Sequence, residues 1–174
     1  MLLFQYLDQL PKIPVELLAD PYIPDPAQIG FQDVGYTRWA LRPELKSWLA
    51  NNISTQIDIA GYQIISEDVN AHFDRRQWAL NYVVHTGGPC VVTAFFKDRK
   101  SPLQVDQVYR LDQTEELDFL FDHCVEPSRW HILNTRVLHS VKGIETERVA
   151  VTIGLNTDNP FSLINGYQGY LNGT

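Results

Sequence analysis

The stretch RVAVTIGL, Arg148–Leu155, is the clearest strand signal in the chain. Side chains two residues apart in a strand point to the same face. Arg148 and Thr152 therefore share one face of this segment. Upstream the same texture recurs in short pieces: Gln56 to Ser66, Gln77 to Thr86, Pro89 to Lys97 with its VVTAFF run, the alternating Gln104 to Leu111, and Trp130 to Val141. Six or more short strands at this spacing, with turn residues between them, indicate a sandwich or barrel.

The rest of the chain reads differently. Leu2 to Asp20 has helix-like apolar spacing interrupted by Pro11 and Pro14, and Pro21 to Pro26 is a proline-rich connection. Arg42 to Leu49 reads as a short helix, with Pro43 in its first turn and Leu45, Trp48 and Leu49 on one stripe. Glu115 to Cys124 fits helix better than strand from the spacing of Leu117, Leu120 and Phe121. Residues 156–174, rich in Asn and Gly, read as an irregular tail. The expected organisation is one domain over residues 1–174. Helical support occupies about 1–55 and packs on one side of a β core at about 56–155.

Composition bounds the function. A chain of 174 residues with 44% hydrophobic content buries roughly 70% of its unfolded surface and needs no staples. Its net charge is −7, and its basic residues adjoin only in short pairs such as Arg75-Arg76 and Arg99-Lys100. That is a poor match to a nucleic-acid phosphate track. Cys90 and Cys124 show neither metal-ligand spacing nor a disulfide framework and read as thiols of a reducing compartment. The N-terminus lacks a basic n-region and carries Asp8, so it does not read as a signal peptide. No apolar run approaches the ~20 residues that span a bilayer. The expectation is a cytoplasmic protein with no membrane partner.

The chemistry lies in NAHFDRR, Asn70 to Arg76. In an extended segment His72 and Asp74 project together, with Phe73 turned away. His139, in NTRVLHSVKG, is the expected third group. Two histidines and one carboxylate that leave other positions open form the facial triad of non-heme Fe(II) oxygenases. A closed four-ligand zinc site would leave no room for a bidentate co-substrate and O₂. Lys142-Gly143 is a turn signal, and a hairpin there would bring Arg148 antiparallel to the strand carrying His139. An inward arginine is costly to bury unpaired. A dicarboxylate co-substrate would supply its partner through a bidentate fork, with a hydroxyl bond from Thr152.

His72-Phe73-Asp74, the distal His139 before a turn, and Arg148 opening a strand together resemble the Fe(II)/2-oxoglutarate-dependent oxygenases, in their prolyl-hydroxylase-like branch. The resemblance covers about residues 56–155. It implies a double-stranded β-helix, a jelly-roll core shared with cupins. It implies His72, Asp74 and His139 as ligands of Fe(II), with Mn, Co, Ni or Zn accepted by a similar N/O set. It also implies Arg148 on the distal carboxylate of 2-oxoglutarate, and O₂ as second co-substrate. The reaction couples decarboxylation of 2-oxoglutarate to succinate and CO₂ with oxidation of another molecule. Asp74 is a carboxylate where halogenating relatives have a small residue, so hydroxylation is expected. Relatives use a polar or phenolic side chain on the strand after the HxD motif. Here that is Asn81 or Tyr82, with Asn81 preferred because an inward amide needs a partner. Arg76 falls where relatives touch substrate, and Thr93 is a further pocket candidate. The substrate is a protein residue, an amino acid or another small metabolite.

Plainer readings stand beside these. His85 precedes the Thr86-Gly87-Gly88 turn and reads as exposed. His123, next to Cys124, suits a helix C-terminus. His131 reads as structural, and Trp78 and Trp130 as core. The competing functions are a cupin-like metal-dependent binding protein without oxygenase activity and a catalytically silent interaction module. Arg148 argues against the first and the intact triad against the second.

Overall fold

The computed structural model describes residues 1–24, 31–33, 35–98 and 117–167. The chain is mainly β, in two antiparallel sheets. The strands are β1 (Phe4–Tyr6), β2 (Phe31–Asp33), β3 (Tyr36–Trp39), β4 (Ala60–Ile65), β5 (Val69–His72), β6 (Trp78–His85), β7 (Val92–Asp98), β8 (Leu117–Cys124), β9 (Trp130–Asn134), β10 (Leu138–Lys142) and β11 (Arg148–Leu155). Seven form one sheet in the order β1-β9-β6-β11-β4-β3-β2, and four form the other in the order β5-β10-β7-β8. From β4 onward the chain passes back and forth between the sheets, with only the β7–β8 pair consecutive within one.

The strand that opened the sequence reading is central. β11 pairs with β4 (Thr152↔Gly61) and with β6 (Val151↔Tyr82, Thr152↔Asn81). Its odd-numbered members, Val151, Ile153 and Leu155, face outward into the largest core cluster. There they meet Leu80, Tyr82, Trp130 and Ile132 of the neighbouring strands. Each fully buried aliphatic side chain contributes about 1.5–3 kcal/mol. Its even-numbered members, Arg148, Ala150, Thr152 and Gly154, face the smaller sheet.

Among the described residues, two α-helices occur near the N-terminus, α1 (Val15–Leu18) and α2 (Pro43–Asn52). α2 starts with Pro43, whose missing N–H has no intrahelical role at that position. It buries Leu45 and Leu49, one turn apart, against the outer face of the large sheet, and the following Ile53 joins them.

Several sequence expectations are corrected. The first 55 residues are not mainly helical: they supply β1, β2 and β3 to the large sheet, and Pro11 and Pro14 leave only the four-residue α1 in Leu2–Asp20. The described part of Glu115–Cys124 is not a helix, because residues 117–124 pair along β7 as strand β8. The misleading 3–4 spacing of Leu117, Leu120 and Phe121 joins one buried residue, Leu117, to two exposed ones. Trp130–Val141 is two strands in different sheets, β9 and β10. Asn134 makes the break: its carboxamide oxygen accepts the Arg136 N–H at 3.1 Å, turning the chain. The β10–β11 hairpin does not form either. β10 pairs with β5 and β7, so Arg148 faces His139's sheet across the interior. Within 156–174, Pro160–Leu163 forms a 3₁₀ turn. The strand expected at Gln104–Leu111 lies outside the described residues. Among the described residues, no helix is long and apolar enough to cross a membrane.

Candidate metal centre

His72 ends β5 and His139 lies in β10, and the two are register partners. Their rings stand 4.5 Å apart between centroids. Asp74 follows His72 in a segment held by the turn between β9 and β10. Thr135 accepts the Asp74 N–H at 3.1 Å and donates its own N–H to Gln77 at 3.1 Å. Its hydroxyl donates to the Arg76 carbonyl at 2.7 Å. The strand switch that the sequence reading missed is therefore what fixes the HxD segment. Phe73 is buried in a separate cluster with Phe96 and Leu138.

One ligand atom each from His72, Asp74 and His139 lies within 4.8 Å of the others. The histidine Nδ1 atoms are occupied. His72 Nδ1 meets the Asn70 carbonyl at 2.7 Å, and His139 Nδ1 meets the Val137 carbonyl at 2.9 Å. A carbonyl only accepts, so each Nδ1 carries a proton and Nε2 is the ring nitrogen left to face the site. Outer hydrogen bonds of this kind orient metal-ligating imidazoles. Asp74 Oδ2 accepts from Arg76 Nε at 2.7 Å, while Oδ1 lies 3.3 Å from His72 Nε2. Burial alone would raise the Asp74 pKa. Arg76, followed by both histidines, overcomes it and holds the carboxyl ionised well below the usual range. Burial, then the neighbouring His72, pushes His139 down to about 4, so its imidazole is neutral at pH 7. Two imidazole Nε2 atoms and one ionised carboxylate oxygen are a donor set that fits a divalent first-row metal.

The group opens on a cavity of about 740 Å³ between the sheets, lined also by Arg38, Gln63, Arg76, Asn81, Thr93 and Arg148. Arg148 is 5% exposed. Its Nη1 donates to Thr93 Oγ1 at 3.5 Å, and among the described residues it has no carboxylate partner. Burial lowers its pKa to about 10, still cationic at neutral pH. Asn81 Oδ1 is buried without a hydrogen-bond partner, as are both ring nitrogens of His131. His131 is fully buried and stacks on Phe4. The Arg129 backbone lies near it but outside hydrogen-bonding geometry.

The structure thus brings together His72, Asp74, His139, Arg76, Asn81, Thr93 and Arg148. It does not bring Tyr82 there: that ring faces the opposite side of β6 and packs on Trp130 at 5.1 Å. Thr152 is on the inner face, but its hydroxyl accepts from Arg76 Nη1 at 3.2 Å, so it braces Arg76 instead of lining the cavity. His85 is exposed and bonded to the Glu147 carbonyl. His123 meets the Tyr6 hydroxyl from β8, not from a helix end. Cys90 and Cys124 are free and exposed. Sequence reasoning missed Tyr36, Arg38 and Gln63, all from β3 and β4. The alternation of GYTRW was the available signal. No family model matches the sequence, and no curated protein is significantly similar to it.

Proposed function

We propose that the chain is an Fe(II)- and 2-oxoglutarate-dependent dioxygenase that hydroxylates a small molecule or peptide. The observation that carries this reading is one cavity holding two complementary features. One is a His–Asp–His group whose ligand atoms converge within 4.8 Å of one another. The other is a buried arginine that lacks a carboxylate. A cupin-like binding protein accounts for the first and leaves the second without a partner. The jelly-roll reading of the fold is supported by the alternation of β4 to β11 between two four-stranded units, β9-β6-β11-β4 and β5-β10-β7-β8. Two interlocked Greek keys produce that alternation.

The net reaction is R–H, 2-oxoglutarate and O₂ going to R–OH, succinate and CO₂. Bound at His72, Asp74 and His139, Fe(II) would supply the redox chemistry that activates O₂. The protein's own part is positioning and charge. Arg148 would take the distal carboxylate as a charge-assisted pair, with the Thr93 hydroxyl beside it. Thr93 pairs with Val141, two residues along β10 from His139, roughly 7 Å of strand. A five-carbon diacid can bridge that order of distance from arginine to metal. Arg76 keeps Asp74 ionised and fixes Oδ2, which leaves Oδ1 to the metal. Because Asp74 is a carboxylate, the coordination position that a halide would need is filled, and hydroxylation is the outcome.

The test is anaerobic titration of the Fe(II)-loaded protein with 2-oxoglutarate, followed by ¹⁸O₂ and mass spectrometry of succinate. Binding to the wild type, its loss in His139→Ala, and one labelled oxygen per succinate are expected. A metal-loaded protein that neither binds nor consumes 2-oxoglutarate would sink the reading.

A further inference from the structure

Two arginines reach the inner face of the large sheet near the His–Asp–His group, and each crosses a glycine to do so. Arg76 lies over Gly154 of β11, where a Cβ would meet its Cδ at 3.0 Å. Arg38 lies over Gly61 of β4, where a Cβ would meet its Nε at 2.4 Å. Gly61 pairs with Thr152, two residues from Gly154, so the cleared positions are neighbours. Glycine inside a strand weakens it and marks a close approach. These two clearances let the side chains of Arg76 and Arg38 pass close over the sheet at one end of the cavity.

The two arginines differ in what neutralises them. Arg76 is paired with Asp74 and also donates to Thr152. Arg38 donates through Nη2 to the Ile59 carbonyl, and among the described residues it has no carboxylate partner. Burial, then the charge of Arg76, lowers its pKa. Two cations therefore share one carboxylate, and that carboxylate is a candidate metal ligand. The surplus charge is separate from Arg148. The Arg38 side chain lies level with Gly61 and hence with Thr152, four residues or roughly 13 Å along β11 from Arg148.

We propose that Arg38, backed by Arg76, is an anion subsite and that the hydroxylated substrate is a small molecule carrying a carboxylate. This rests on the oxygenase reading above and names the substrate class for it. A planar guanidinium fork matches a carboxylate. Arg38 has no carboxylate of its own among the described residues, so its guanidinium is available to one carboxylate of a ligand. A cavity of about 740 Å³ lies within the range of small-ligand sites, roughly 300–1,000 Å³.

The experiment uses the full chain loaded with Zn(II) and saturated with 2-oxoglutarate. The proteinogenic L-amino acids and short straight-chain monocarboxylic acids are titrated by ligand-observed NMR, each beside its primary amide. At least one acid should bind, with its amide weaker by about tenfold or more, the worth of a hydrogen bond to a charged group. Arg38→Gln should weaken that acid by a similar factor. So should Gly61→Ala, which keeps the charge but puts a Cβ in the path of the side chain. In both variants 2-oxoglutarate affinity should stay within about twofold, because Arg148 is untouched. Equal binding of acids and amides, binding of no acid, or full acid affinity in Arg38→Gln would each overturn the subsite. Absence of 2-oxoglutarate binding to the wild type would instead overturn the oxygenase reading, and the acid and amide series on the Zn(II) form alone would still decide this one.

Discussion

The two faces of the seven-stranded sheet are built from the same strands and do opposite things. On the outer face, Trp78, Leu80, Tyr82, Trp130, Ile132, Val151, Ile153 and Leu155 form one buried cluster with α2. On the inner face the intervening positions include Asn81, His131, Arg148 and Thr152, all buried and polar. A buried polar group without a partner costs about 1–3 kcal/mol, and an unpaired buried charge costs more. The inner set therefore cannot be explained by stability. The difference teaches that the outer face holds the fold together, while the inner face keeps Asn81 Oδ1, the His131 ring and the Arg148 cation buried without full pairing, at a cost to stability.

The comparison breaks most readily at Trp130. It is 2% exposed, and its indole N–H donates to the Pro11 carbonyl at 2.9 Å. Trp130→Ala should cost about 3–5 kcal/mol, read from urea unfolding of the apoprotein. A loss under about 1 kcal/mol would mean that the outer cluster is not the main source of stability.

Arg148→Met on the inner face should behave in the opposite way. Replacing an unpaired buried cation with an apolar side chain of similar length is neutral or stabilising, by up to about 4 kcal/mol. The same change should weaken 2-oxoglutarate binding to the metal-loaded protein by ~2–5 kcal/mol. Calorimetric titration and urea unfolding on the same variant give both numbers. A variant that is destabilised like Trp130→Ala, with 2-oxoglutarate affinity intact, would erase the division between the faces.

That division was only half legible in the sequence. Parity along RVAVTIGL placed Arg148 and Thr152 on one face, and parity along NAHFDRR placed His72 with Asp74, because a period of two survives whatever the strand packs against. Sheet membership has no such local mark. Trp130 to Val141 carries continuous β texture, yet Asn134 turns the chain so that His131 and His139 end in different sheets. β8 misled for a related reason: among the described residues it ends its sheet, and its Phe119, Leu120 and Phe121 are exposed, so burial imposes no alternation. Gly61 and Gly154 read as weak points in good strands, and only the arginines lying across them give them a purpose. Arg38 itself was unread because β3 belongs to the N-terminal part, where helices were expected.

The smallest effect isolates one inner-face group, His131. Burial, then the charge of Arg148, pushes its pKa down to about 3, against about 6.5 in an unfolded chain. Between those values the unfolded state binds the proton and the folded state does not. Stability therefore rises with pH across that window and is lost as pH falls from about 6.5 toward 3. At pH 4 the loss from this one group is at most about 3 kcal/mol. His139 and Asp74, also shifted downward, lose stability in the same direction, so acid sensitivity alone does not identify His131. His131→Leu does. At pH 8 it should leave the apoprotein's stability unchanged or raise it, since the imidazole it removes makes no hydrogen bond. At pH 4 the variant should be the more stable of the two, by up to that amount, in paired urea titrations. Parallel curves at the two pH values would mean that His131 finds a hydrogen-bond partner in solution, and the inner face would then be less costly to keep polar than its unpaired atoms imply.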